Sequence, residues 1–113
     1  MNNDTVVQNV TIANGGTVST ALRMPKTFYL AGIIKDDTLD TSAAITFQVS
    51  MDGVTYFGLY GTTGSLVSYT VIPATAQAIV FPPSTFYPWE YVKIVVADAQ
   101  TGITTIGCII RQY

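Results

Sequence analysis

The chain has 113 residues, of which 49% are hydrophobic and only 11% charged, with five Lys and Arg against seven Asp and Glu. A typical soluble domain carries about a quarter charged residues, so part of this surface is expected to be covered by partners, and five scattered cations cannot form the basic stripe that nucleic acid demands. There is no histidine, which excludes Ser-His-Asp and Cys-His nucleophile systems, the usual zinc sites and the commonest neutral-pH general base.

Met1-Asn2-Asn3-Asp4 has neither the cationic flank nor the apolar stretch of a secretory signal, and no apolar run is long enough to cross a bilayer as a helix. A soluble, unprocessed product is expected, with residues 1–113 forming one domain, since domains cluster at roughly 100 to 150 residues. Runs rich in Val, Ile, Thr and aromatics predict strands at 5–12, 17–23 and 28–35, with Asn14-Gly15-Gly16 as a turn. If the first run does not join the sheets, residues 1–12 are an arm that reaches a neighbour. Residues 36–44, with Asp36, Asp37 and Asp40, form a loop. Its carboxylates are of the type a hard cation uses but lack EF-hand spacing and the central glycine, so a solvated acidic loop is the preferred reading.

The clearest strand is 45–52, where Ile45, Phe47, Val49 and Met51 alternate with Thr46, Gln48, Ser50 and Asp52. Asp52-Gly53 then predicts a tight hairpin with positive φ at Gly53, and Thr55 to Tyr60 resumes the strand pattern. Further strands are expected at 66–72, 77–81, 91–98 and 103–112, separated by Gly61-Thr62-Thr63-Gly64 and Ala99-Gln100-Thr101-Gly102. Pro82, Pro83 and Pro88 make 82–90 a loop, because proline removes a ladder donor. Cys108, the single cysteine, sits in Ile106-Gly107-Cys108-Ile109-Ile110 and is read as a buried, inert thiol. About nine strands with short connections predict an all-β, two-sheet antiparallel sandwich, jelly-roll-like.

Catalytic machinery is not expected. Glu90 is the only glutamate, and its potential glycosidase partners, Asp52 and Asp98, sit where strands meet turns. No phosphate-cradling glycine motif occurs, so the expectation is no enzyme, no cofactor and no metal. The densest aromatic patch is Phe86-Tyr87-Pro88-Trp89-Glu90-Tyr91. Tyr87, Trp89 and Tyr91 could stack a sugar ring, but the preferred reading has Phe86 and Trp89 plug the end of the sandwich with tyrosines at the rim. Exposed Tyr56, Tyr60, Tyr69 and Tyr113 would suit a protein interface, where aromatics are enriched.

Residues Phe47 to Leu59 follow the pattern "F-x-x-S-x-D-G-x-x-[YF]-x-x-L", and Pro83 to Phe86 with Tyr91 to Ile94 follow "P-x-x-F…[YF]-x-K-[IL]". Together these span residues 45–112 and resemble the capsid decoration, or cement, proteins of tailed phages. The resemblance implies a small non-enzymatic β-sandwich, made in the host cytoplasm, that binds the outside of the head and stabilises it. Its implied partners are copies of itself, commonly as trimers, and the major capsid protein, with neither nucleic acid nor membrane. A carbohydrate-binding module of a head fibre or tail, using Tyr87, Trp89 and Tyr91, is the alternative, and a tail or baseplate sandwich domain a third.

Overall fold

Alternating side chains give each predicted strand one apolar row, and two sheets bury those rows against each other. The computed structural model describes residues 5–39, 44–86 and 89–112. Among these residues nine strands form: β1 Thr5–Ile12, β2 Leu22–Arg23, β3 Phe28–Lys35, β4 Ala44–Ser50, β5 Phe57–Gly58, β6 Tyr69–Thr70, β7 Gln77–Val80, β8 Tyr91–Val96 and β9 Thr104–Gln112. Sheet A has the order β1-β9-β3-β7, and sheet B the order β2-β8-β4-β5, with β6 also on β4. All pairings are antiparallel. Apart from the β4-β5-β6 stretch the chain changes sheet at every connection, which is the crossing pattern of a jelly roll.

Sheet A sends Val10, Ile12, Leu30, Ile33, Ile106, Cys108 and Ile110 inward, and sheet B sends Leu22, Ile45, Phe47, Val49, Val92, Ile94 and Val96 to meet them. The ring of Phe47 sits at the centre of an aromatic cluster, with ring centroids 4.8 Å from Phe86, 5.5 Å from Phe81 and 6.0 Å from Tyr69. These contacts are edge-to-face, the arrangement that the ring quadrupole favours. Cys108 is fully buried, as expected, and burial pushes its thiol up to about 12.

Strand β3 carries a bulge between Leu30 and Gly32, where the register against β9 shifts by one residue. Strict alternation from Leu30 would turn Ile34 inward and Lys35 outward. The extra residue reverses this, so Lys35 is buried and Ile34 is half exposed. The buried ammonium donates to the carbonyls of Ile72 (2.7 Å) and Thr75. Burial draws the pKa of Lys35 down, against the pull of Asp36 and Asp37. Gly32, beside the bulge, lies so close to β7 that a Cβ would come 2.6 Å from the Ile79 carbonyl oxygen, so no larger residue fits there.

Several strands are shorter than the pattern predicts, and side-chain hydrogen bonds account for two of them. In the 17–23 run, Val18 bridges Val95 and Leu22–Arg23 pairs with β8, but between them Ser19 Oγ accepts the Ile94 N–H (2.9 Å) in place of a backbone carbonyl. Thr20 turns toward β1 instead, donating its N–H to the Thr11 carbonyl (2.9 Å) and accepting the Thr11 N–H (3.1 Å). This stretch therefore links the β8 side of sheet B to the β1 edge of sheet A. The expected 45–52 strand ends at Ser50, because Ser50 Oγ accepts the N–H groups of Asp52 (3.2 Å) and Gly53 (2.9 Å). A loop of residues 51–56 replaces the tight hairpin, although Gly53 has the expected positive φ of 77°. Pairing then resumes at Phe57–Gly58.

Gly53→Val is expected to lower stability by about 2 kcal/mol or more, since a left-handed β-branched residue is strained and its Cβ would meet the Tyr91 ring at 3.0 Å; a urea midpoint equal to wild type would contradict this. The thiol of Cys108 gives a second expectation. Its folded-state value lies above the ordinary 9.0, so this contribution is fully present below pH 9 and is lost as pH rises toward 12. The difference in unfolding free energy between wild type and Cys108→Ala is expected to shrink over that window, by up to about 4 kcal/mol.

Candidate interaction surfaces

The outward row of β8 carries Tyr91, Lys93 and Val95, and that of β4 carries Thr46, Gln48 and Ser50. Register sets Ser50 beside Tyr91 and Gln48 between Lys93 and Gly58. Tyr56 enters this face from the 51–56 loop, and Lys93 Nζ stands 4.2 Å from its ring centroid. On the other side of β8, Arg23 pairs with Tyr91 in register, its guanidinium carbon 6.0 Å from the Tyr91 ring centroid. Arg23 Nε also donates to Glu90 Oε2 at 3.1 Å. Two tyrosines, two cations and a carboxylate thus share one outer face of sheet B.

The loop that delivers Tyr56 is organised by one carboxylate. Asp52 Oδ1 accepts the N–H groups of Val54 (2.8 Å) and Thr55 (3.0 Å) and the Ser50 hydroxyl (2.9 Å). The Thr55 N–H, then the Val54 N–H and the Ser50 hydroxyl, hold the Asp52 carboxyl below its ordinary range. Burial chiefly, then Tyr91 and Asp52, push the Tyr56 hydroxyl up. Met51 and Val54 of this loop, with Phe57, Tyr60 and Leu66 after it, form an exposed apolar rim. Phe57 and Tyr60 are each 62% exposed, and Tyr60 and Leu66 close in at 3.5 Å on the position a Gly58 Cβ would take.

Of the tyrosines and tryptophan singled out in the sequence, Tyr56 and Tyr91 come together and Tyr60 stands on the adjoining rim. Trp89 packs against the core and Phe86 is fully buried, so this part of the aromatic patch plugs the sandwich. Tyr69 is half-buried in the ring cluster, its centroid 4.7 Å from that of Phe81. Tyr87, Tyr113 and Asp40 lie outside the described residues. Asp36 is engaged by its own turn, accepting the Thr38 N–H (2.9 Å) and the Thr38 hydroxyl, which hold its carboxyl low. Among the described residues no three metal-ligating His, Cys, Asp or Glu side chains converge.

A second surface, on the opposite side of the sandwich, was not anticipated. The outer face of sheet A carries the cross-strand rows Val7-Ile109-Gly32-Val80 and Asn9-Gly107-Ile34-Ala78. Val7, Ile34 and Val80 are 60%, 50% and 82% exposed. A shallow apolar trough of about 290 Å³ runs along it, lined by Ala31, Gly32, Ile34, Ala78, Val80 and Ile109 among others. The signal was present in the doublets Val6-Val7, Ile33-Ile34, Ile79-Val80 and Ile109-Ile110, since adjacent apolar residues on a strand point to opposite faces.

No protein-family model matches the sequence, and no curated protein sequence matches it. Among solved structures, the chain is similar to the SPBc2 prophage-derived protein YomS, with a TM-score of 0.54 and 16% identity over 99% of this chain and 98% of that one. It is also similar to CBM32-1 from a family 31 glycoside hydrolase of Clostridium perfringens, with a TM-score of 0.48 and 16% identity over 93% of this chain and 76% of that one. The first likeness shows the sandwich fold.

Because the folded state depresses the Asp52 carboxyl, the stability it supplies is present above the ordinary value of 3.8 and is lost as pH falls through the folded value. Acidification is therefore expected to loosen the 51–56 loop and shift the Tyr56 and Tyr91 ring resonances before global unfolding. Asp52→Asn removes that acid transition, and an unchanged pH profile in this variant would disprove the assignment.

Proposed function

We propose that this chain is a non-enzymatic structural protein of a phage particle, a capsid decoration subunit that seats on the outside of the head and stabilises it. One observation carries the reading: a sandwich of 113 residues exposes apolar side chains on both of its sheets, at Phe57 and Tyr60 beside sheet B and at Val7, Ile34 and Val80 on sheet A. A subunit that must hold both its own kind and a shell requires two such surfaces, whereas monomers rarely expose large contiguous apolar patches. The fold likeness to a prophage-derived protein over nearly the full length of both chains supports it.

In this reading the Tyr56-Tyr91 face and its Phe57-Tyr60 rim contact the major capsid protein. Aromatic side chains supply such contacts with large apolar area at low entropic cost. Self-association completes the burial of the second surface, and the charge pattern of that surface, argued below, selects a pair over the trimer that the cement-protein resemblance implies. The test is co-sedimentation with heads of the encoding phage assembled without this protein. Wild type is expected to bind and to raise the heat stability of the heads, while Phe57→Ser and Tyr60→Ser, both at exposed positions, weaken binding by about tenfold or more. Wild type that stays in the supernatant would sink the proposal.

A second reading is favoured by the polar groups around the tyrosines. Arg23, Glu90, Gln48 and Lys93 border Tyr91 and Tyr56, as hydrogen-bonding groups border a ring on which a saccharide stacks. With Trp89 packed against the core, Tyr91 and Tyr56 would carry the stacking in place of the Tyr87-Trp89-Tyr91 shelf. Glycan-array binding that Tyr91→Ala abolishes while folding is kept would favour this reading over decoration, and an array without signal would remove it.

A further inference from the structure

We infer that the outer face of sheet A is where a second copy of this chain packs, as a two-fold pair in which the strands of one copy run antiparallel to those of the other. This deepens the proposed structural role by naming the surface of self-association, and it rests on separate observations.

The two central rows of the face hold no charged side chain. Val7, Ile109, Gly32 and Val80 form one row, and Asn9, Gly107, Ile34 and Ala78 the next. Charge appears only at the ends. Arg111 stands outward beside Thr5 and Tyr29 at the start of β3. Past the end of β3, Asp36 follows Ile34 at the next outward position of the alternation, with Asp37 beside it. The face is therefore apolar in the middle, positive at one end and negative at the other.

That pattern distinguishes two ways of stacking identical faces. A two-fold axis along the strands sets Arg111 on Arg111 and carboxylates on carboxylates. An axis across the strands sets each Arg111 over the partner subunit's Asp36 and Asp37. Like-charge juxtaposition is costly and opposite-charge pairing fixes register, so the second arrangement is selected, and it is isologous and closes at two copies.

The four strands have 8, 9, 8 and 4 residues, and at about 4.8 Å between strands and about 3.3 Å per residue the face spans roughly 460 Å². Two stacked copies then cover about 900 Å², the size of a weak, reversible pair.

The test is sedimentation equilibrium of the full chain at micromolar concentration. Wild type is expected to be a dimer, and Val80→Glu a folded monomer, since Val80 is 82% exposed and its replacement disturbs no core contact. Arg111→Glu weakens pairing about tenfold, and adding Asp37→Arg to it restores the affinity. A monomeric wild type, a trimer, a dimer unmoved by Val80→Glu, or a charge swap that fails to restore pairing would each overturn the inference. Head co-sedimentation is read separately: Val80→Glu that no longer pairs yet still binds heads leaves decoration standing, and a dimer that ignores heads leaves the pair standing.

Discussion

The contact on which the rest of the fold depends is the one between Phe47 and the rings of Phe81, Phe86 and Tyr69. Phe47 belongs to the central strand of sheet B, while Phe81 extends the line of β7 in sheet A through its N–H to the Ala31 carbonyl (2.9 Å). Their edge-to-face packing therefore fastens one sheet to the other. Phe86 draws the proline-containing loop back over the same ring, and the Trp89 N–H closes on the Phe86 carbonyl at 2.8 Å. The chain then enters β8 at Tyr91, so the position of the tyrosine face outside is set by rings packed inside.

A buried lysine is costly unless its ammonium is satisfied. Lys35 meets that condition through two carbonyls of the 72–75 stretch, where Ala74 holds a positive φ of 56° and donates its N–H to the Leu39 carbonyl (3.0 Å). The two carbonyls offset part of the cost of burying the ammonium, a cost that still draws its pKa down, and they tie the left-handed Ala74 turn to the end of β3. Lys35 thereby does the work of a core residue while remaining polar at its tip.

Period-two patterning was enough to place β1 and β3 at their observed bounds and to separate the sheets into strands of the right number. Gly53 was legible because Asp-Gly after an alternating run needs a left-handed residue, and Cys108 because its neighbours are all apolar or glycine. What escaped was whatever depends on contacts between distant segments. Ser19 and Ser50 look like ordinary strand residues, yet their hydroxyls take N–H groups away from the ladder and cut the strands short. Tyr56 and Tyr91 are 35 positions apart in the sequence, and only the pairing of β8 with β4, and of β4 with β5, brings them to one face. Trp89 packs against the core instead, its N–H bonded to the Phe86 carbonyl.

The bulge in β3 has a genetic corollary. Ala31 is the one residue that β3 carries beyond what its ladder to β9 needs, so loss of that single codon would leave regular pairing with Ile34 still outside and Lys35 still inside. Straightening the strand with Ala31 kept would do the opposite, sending Ile34 into the interior and Lys35 to solvent. Stickiness and solubility on this exterior are therefore separated by a slip of one residue, without any change of amino acid.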